Sequence, residues 1–254
     1  MFRDEPAMQY AYQKSEGTRY GEFYGYIAEG YFQSEEEIKK SPRQMRELAP
    51  GDIKYKDLND DGVIDANDQC YLGKSWFPSW SYGMGFNINY HNFDLALFFQ
   101  GVSDVSIMAN GGSIDTGNGD WGASGVGIVP FTGMGLNPSN VITKALDRWT
   151  ADNPRADAWY PRMTANATTN DNNYVNSTHW LKDGSYLRLK QASLGYTLEN
   201  KKLMDKGIEY LYFYLSGQNL LTFSKFKLWD PELGSNGAKY PLSRMVTLGM
   251  RVSF

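Results

Sequence analysis

Long apolar runs are missing from this chain of 254 residues, whose mean hydropathy is −0.52. No stretch approaches the ~20 residues that a membrane-crossing helix needs, so helical membrane proteins are excluded. Strand-built ones are not, because alternating strands average out in any hydropathy window. Cysteine is nearly missing too. Cys70 stands alone, so no disulfide can form within the chain, which fits a reducing compartment or an envelope protein stabilised by other means. Basic residues are not in excess: 25 Lys and Arg stand against 29 Asp and Glu. That balance excludes a nucleic-acid partner, which needs clustered cations, and "EIKKSPRQMR" (37–46) is flanked by Glu37 and Glu47. "MFRDEPAMQYAYQ" carries no charged start followed by an apolar stretch, so no export signal is visible. Either the protein is cytoplasmic, or its start lies outside this sequence.

Signals for catalysis are equally scarce. The two histidines, His91 in a tight connector and His179 in a loop, sit at no metal-ligand or triad spacing and read as surface residues. Cys70 lacks an activating neighbourhood and reads as a packing residue. "GNGDWGASGVG" (117–127) is no phosphate cradle, since no strand–Gly–helix context surrounds it. "NAT" (166–168) and "NST" (176–178) are glycan acceptors only in a secretory host. A glycosidase would need two carboxylates on facing strand ends, and the strand interiors offer only Asp94. An enzyme is not expected.

What the chain does have is aromatics, glycine and a period of two. In "WSYGMGFNINY" (80–90) Tyr82, Met84, Phe86, Ile88 and Tyr90 share one face, opposite Ser81, Gly83, Gly85, Asn87 and Asn89. "HN" (91–92) is a connector of hairpin length, and "FDLALFFQG" (93–101) continues the alternation. Similar runs lie at 185–198, with a slip of phase around Gln191 that suggests a bulge, at 209–223 and at 244–254. This makes about five strands, whose connectors alternate short, long, short and medium. Transmembrane barrels show that alternation of short turns and long outer loops, and tilted spanning strands of ~9–11 residues. Tyr82, Tyr90, Phe93, Tyr196, Tyr210 and Phe254, at run ends, suit interfacial aromatic girdles. The expected fold is all-β: antiparallel strands forming the last portion of a transmembrane β-barrel, with long extracellular loops and one short loop helix. The carboxyl terminus then lies in the periplasm. A secreted calcium-stabilised carbohydrate-binding β-sandwich would show the same period, so periodicity alone leaves both open.

Three regions are expected: a partial strand and loop region at 1–50, a calcium-loop-like extracellular segment at 51–79, and barrel strands at 80–254 with outer loops 102–180 and 224–242. "YGEFYGYIAEGYF" (20–32) reads as a strand with a bend, "SEEEIKK" (34–40) as a helical turn, and "NVITKALDRWTADNP" (140–154) as a short helix stopped by Pro154.

The sharpest motif is "DLNDDGVIDAND" (57–68). Asp57, Asn59 and Asp61 take the first, third and fifth positions of a calcium loop, Gly62 the sharp turn, and Val63 offers its carbonyl. Asp65 stands ninth. Asp68 stands twelfth, where a longer Glu is usual, so affinity should be weaker or a water recruited. Structural Ca2+ is one reading and an acidic turn held by its own hydrogen bonds is the other. Trp121, Trp149, Trp159, Tyr160, Tyr174 and Trp180 could stack on sugar rings or pack the long connection to itself. The first five are the weak ligand-binding candidates.

Several segments together resemble the carboxyl-terminal part of the SusC/RagA family, the TonB-dependent outer-membrane transporters of Bacteroidetes. They are "GDIKYKDLNDDGVIDANDQ" (51–69), "PSWSYGMGFNINYHNFDLALFFQG" (78–101), "RWTADNP" (148–154), "YLRLKQASLGYTL" (186–198), "YLSGQNLLTFSKF" (214–226), "DPE" (230–232) and "YPLSRMVTLGMRVSF" (240–254). The resemblance implies strands of a barrel of about 22 strands, located in the outer membrane and importing glycans or peptides. It also implies partners: a SusD-like surface lipoprotein, TonB reached through a missing N-terminal region, outer-membrane lipid, and the barrel assembly machinery, for which Phe254 looks like the signal. No TonB box or plug is present, so the chain reads as a piece of such a transporter.

Overall fold

A computed structural model of the chain describes residues 8–110, 143–163, 172–235, 237 and 240–254. In chain order its strands are β1 (Glu22–Gly25), β2 (Ala28–Tyr31), β3 (Ile53–Tyr55), β4 (Cys70–Ser75), β5 (Trp80–Tyr90) and β6 (Phe93–Ser103). They continue as β7 (Ser106–Met108), β8 (Leu181–Asp183), β9 (Tyr186–Leu198), β10 (Tyr210–Ser224) and β11 (Met245–Ser253). Two units result. The first comprises Met1–Phe77, Val105–Asp183 and Glu232–Lys239, the second Pro78–Asp104, Gly184–Pro231 and Tyr240–Phe254.

Short strands and irregular chain build the first unit. β1 pairs with β4, β2 with β3 and β7 with β8, all antiparallel. The run 20–32 is therefore two strands with different partners, as its Gly-punctuated bend suggested. Helix α1 (Glu35–Lys40) starts at Ser34, whose hydroxyl accepts from the Glu37 amide at 3.2 Å. Acids fill its first turn and lysines its last, as the helix dipole favours. Aromatic rings dominate the core: Phe23, Tyr26, Tyr31, Tyr55, Trp149, Tyr160, Tyr174 and Trp180 are all buried there.

No helix fills the described part of 140–154; only a 3-10 turn, Thr143–Leu146, is formed. Burial decides against it. Trp149 enters the core, and its amide donates to the Tyr160 carbonyl at 2.9 Å, a partner outside any helix. Thr150 and Asn153 then close a local bridge ahead of Pro154.

The second unit is one antiparallel sheet in the order β11-β10-β9-β6-β5. β5 and β6 pair without a slip from Trp80↔Ser103 to Tyr90↔Phe93, and His91 in the turn takes a positive φ of 51°. The bulge expected near Gln191 is present. Gln191 and Leu189 face adjacent Phe98 and Phe99 on β6, which leaves Lys190 as the extra residue. On β10 the same pair face Gln218 and Leu221. A one-turn helix, α2 (Lys201–Met204), lies in the β9–β10 connection, capped by the Asn200 side chain.

Candidate functional site

Register turns the period of two into continuous rows. Ile88, Leu95, Leu194, Leu215 and Leu248 lie side by side across all five strands of the second unit. The flanking row on the same face is Tyr90, Phe93, Tyr196, Phe213 and Met250. These side chains are open to the surroundings: Ile88 is 54% exposed, Leu215 47% and Leu248 79%. Burying one such side chain contributes roughly 1.5–3 kcal/mol, so a whole apolar face left to water would forfeit tens of kcal/mol. No second sheet occurs in this unit to cover it, which removes the premise of a β-sandwich. The sheet is the wall of a transmembrane barrel, with this face to hydrocarbon.

The opposite face is small and polar. Asn89, Asp94, Gly195, Tyr214 and Gly249 form one row, Asn87, Ala96, Ser193, Ser216 and Thr247 the next. The Tyr212 hydroxyl donates to Asp94 Oδ2 at 3.0 Å, and the Arg251 guanidinium lies 5.9 Å from the centroid of the Tyr212 ring. Gly195 makes this approach possible, because a β-carbon there would stand 2.6 Å from Asp94 Oδ2. On the same face Arg188, 1% exposed, donates to Asp230 at 2.5 Å. The sequence showed Asp94 only as a lone strand carboxylate; Tyr212 and Arg251, far along the chain, join it through register alone.

In the first unit the acidic loop is folded on its own hydrogen bonds. Asp57 Oδ2 accepts from the Gly62 amide at 2.8 Å, Asn59 Oδ1 from the Asp61 amide at 3.1 Å, and Asp61 Oδ1 from the Val63 amide at 2.8 Å. Asp65 accepts from Asn67, and fully buried Asp68 from Leu58 and Asp65, each at 2.7 or 2.8 Å. Asp60 and Gly62 take positive φ, 59° and 81°, as a tight acidic loop requires. Among the described residues no three His, Cys, Asp or Glu groups are arranged to hold a metal. One atom differs from the rest: Asp57 Oδ1 is buried with no hydrogen-bond partner. A carboxylate oxygen has two lone pairs, so one that accepts an amide retains a second for a cation.

The aromatic candidates are placed as follows. Trp149, Tyr160 and Tyr174 are buried core residues, with Tyr174 stacked on buried Trp180 at 5.3 Å. Trp159 is half-buried, and Lys182 Nζ stands 5.2 Å from its ring centroid. Trp159, Tyr160 and Trp180 pack edge-on against one another, while Trp121 lies outside the described residues. Cys70 is buried, a packing residue as expected. Phe254 lies one residue beyond β11 and is 84% exposed.

His179 is no free surface side chain, contrary to expectation. Its ring packs on Trp180 and Tyr31, and Nε2 lies 3.2 Å from the Trp159 carbonyl. A carbonyl can only accept, so Nε2 carries the proton. Burial, reinforced by Lys182, lowers the pKa of this histidine to about 4, so the ring is neutral at pH 7. No period around His179 could have shown the aromatic pocket.

The lipid-facing wall and polar inner face define a β-barrel outer-membrane protein. The chain is 30% identical over 241 residues to TonB-dependent receptor P26 of Formosa agariphila, a match spanning 89% of this chain and 22% of that protein. It is 28% identical over 255 residues to TonB-dependent receptor P3 of the same organism, spanning 94% and 22%. Its fold matches the solved RagAB peptide importer in the "open-open" state, with TM-score 0.60, 23% identity and coverage of 92% of this chain and 22% of that one. The "closed-closed" state matches with TM-score 0.61 and the same identity, over 92% and 23%. No family model matches the chain. The chain is similar over most of its length to these TonB-dependent receptors and has the fold of the matching part of the RagAB importer, and it spans 22% of the length of the curated relatives it matches.

Proposed function

We propose that this chain forms part of the wall of an outer-membrane importer of glycans or peptides, powered through TonB and working with a SusD-like surface lipoprotein. The observation that carries the reading is the apolar row Ile88–Leu95–Leu194–Leu215–Leu248, which crosses five strands without interruption and lies open. The short connections at 91–92 and 199–209 face the periplasm in this reading, and Phe254 with them. The polar inner row around Asp94, Tyr212 and Arg251 then lines the interior at that end. Deleting the full receptor gene and following uptake of labelled oligosaccharides and labelled peptides tests the transport role. Loss of one uptake, restored by the intact gene, supports the reading and names the substrate class. Unchanged uptake of both would overturn it. Co-purification of a surface lipoprotein with the intact receptor tests the partner.

We also infer that the loop at 57–68 takes a structural calcium ion through Asp57, Asn59, Asp61, Val63, Asp65 and Asp68. Its support is the loop spacing, the positive φ at Gly62 and the unpartnered buried oxygen of Asp57. Bound there, the ion would neutralise a crowded set of carboxylates and stiffen the segment between β3 and β4.

A further inference from the structure

Three large rings of the first unit are held at its surface instead of in its core. Tyr20 is 77% exposed, Phe77 51% and Trp76 41%. They pack on each other, Tyr20 on Trp76 with centroids 6.0 Å apart, Tyr20 on Phe77 at 5.7 Å and Trp76 on Phe77 at 5.8 Å. The backbone beneath them is pinned. The Ser75 hydroxyl donates to the Tyr20 carbonyl at 2.7 Å and accepts from the Phe77 amide at 2.8 Å, while the Trp76 amide donates to Gly21 at 3.1 Å. Gly21 keeps a positive φ of 70° under the indole, where a β-carbon would stand 2.7 Å from Trp76 Nε1. Such fixing shows that the exposure is built, not a frayed loop end.

We propose that Tyr20, Trp76 and Phe77 form a membrane-interface anchor that rests on lipid outside the barrel strands. This rests on the transmembrane reading of the sheet and extends it to a segment that crosses nothing. The chain runs from Phe77 through Pro78 and Ser79 directly into Trp80, where the lipid-facing side of β5 begins, at the strand end away from the His91–Asn92 turn. At most about 3.3–3.6 Å per residue separates them, so the rings are tethered near the level at which β5 leaves hydrocarbon. Tyr and Trp favour that level, with an apolar ring body and a polar tip. Exposed Lys74, two residues before Trp76, adds a cation suited to lipid phosphate. Stacking on a sugar would favour rings that share a plane, whereas Phe77 meets both neighbours at 81° and Tyr20 is tilted 56° from Trp76.

The test uses the full receptor in vesicles and reads tryptophan fluorescence. The Trp76 signal is taken as the difference from a Trp76→Phe variant and the Trp80 signal from a Trp80→Phe variant, both mild changes at exposed rings. Lipid brominated close to its headgroup should remove most of the Trp76 signal, and aqueous acrylamide should leave most of it. Acrylamide removing the Trp76 signal would mean a water-facing ridge, and insensitivity to both quenchers would mean a protein cover; either overturns the anchor. Trp80 separates the two readings. Bromolipid quenching of Trp80 without Trp76 defeats the anchor alone, and bromolipid quenching of neither ring defeats the transmembrane reading as well.

Discussion

The ring of Tyr214 fills the space that a side chain on Gly249 would take. A β-carbon at Gly249 would stand 2.6 Å from Tyr214 Cε1, and the two residues are direct partners across β10 and β11. Gly249→Ala should therefore force the ring off its rotamer and cost about 1–3 kcal/mol. Urea unfolding of the full receptor in lipid measures this. The double variant Gly249→Ala, Tyr214→Ala should lose less than the sum of the single losses, because the clash is gone.

Arg188 and Asp230 make the second prediction. The Arg188 side chain is 1% exposed and Asp230 16% exposed, at 2.5 Å. Asp230→Ala takes this carboxylate away from a buried guanidinium and should destabilise by about 3–5 kcal/mol. Adding Arg188→Met removes the buried charge itself, so the double variant should recover most of that loss. A double variant as unstable as the single would show that packing, not charge, dominates there.

His179 sets a pH dependence. Its pKa is held at about 4 in the fold against 6.5 ordinarily, chiefly by burial. Between those values the unfolded chain binds a proton that the folded chain refuses, so stability falls as pH falls. The contribution is complete above pH 6.5 and is lost progressively down to about pH 4, by up to about 3 kcal/mol. His179→Gln should flatten the stability profile in that window, measured by thermal unfolding at stepped pH. An unchanged slope would place the proton elsewhere.

The calcium loop yields the fourth. Titration calorimetry of the intact receptor should show calcium binding that Asp57→Ala together with Asp61→Ala removes. Binding heat unchanged in the double variant would leave only the hydrogen-bonded acidic turn.

Strands were legible because alternation is written in adjacent residues. The run Trp80–Tyr90 is read to the residue, and the slip near Gln191 marks a real bulge. Contacts between distant segments were not legible. Nothing near Trp149 or Tyr174 says that they close one core with Phe23 and Tyr55, and the core's demand for Trp149 overrides the helical pattern around it. The inner cluster is similar: Asp94, Tyr212 and Arg251 are brought together by strand register, which depends on every turn between them. The acidic loop lies between these cases, its spacing visible and its hydrogen bonds local.

Lys190 has a consequence for how this strand tolerates change. Because one residue on β9 has no counterpart on β6, Leu187 and Leu189 point the same way as Ala192 and Leu194 despite the odd spacing between the pairs. The strand thus carries a frameshift that the fold has absorbed. Excising that one position would join Leu189 directly to Gln191, so strict alternation would return with Leu187 and Leu189 still toward the acyl chains and Arg188 still inward. A deletion there should therefore leave both faces of the wall intact.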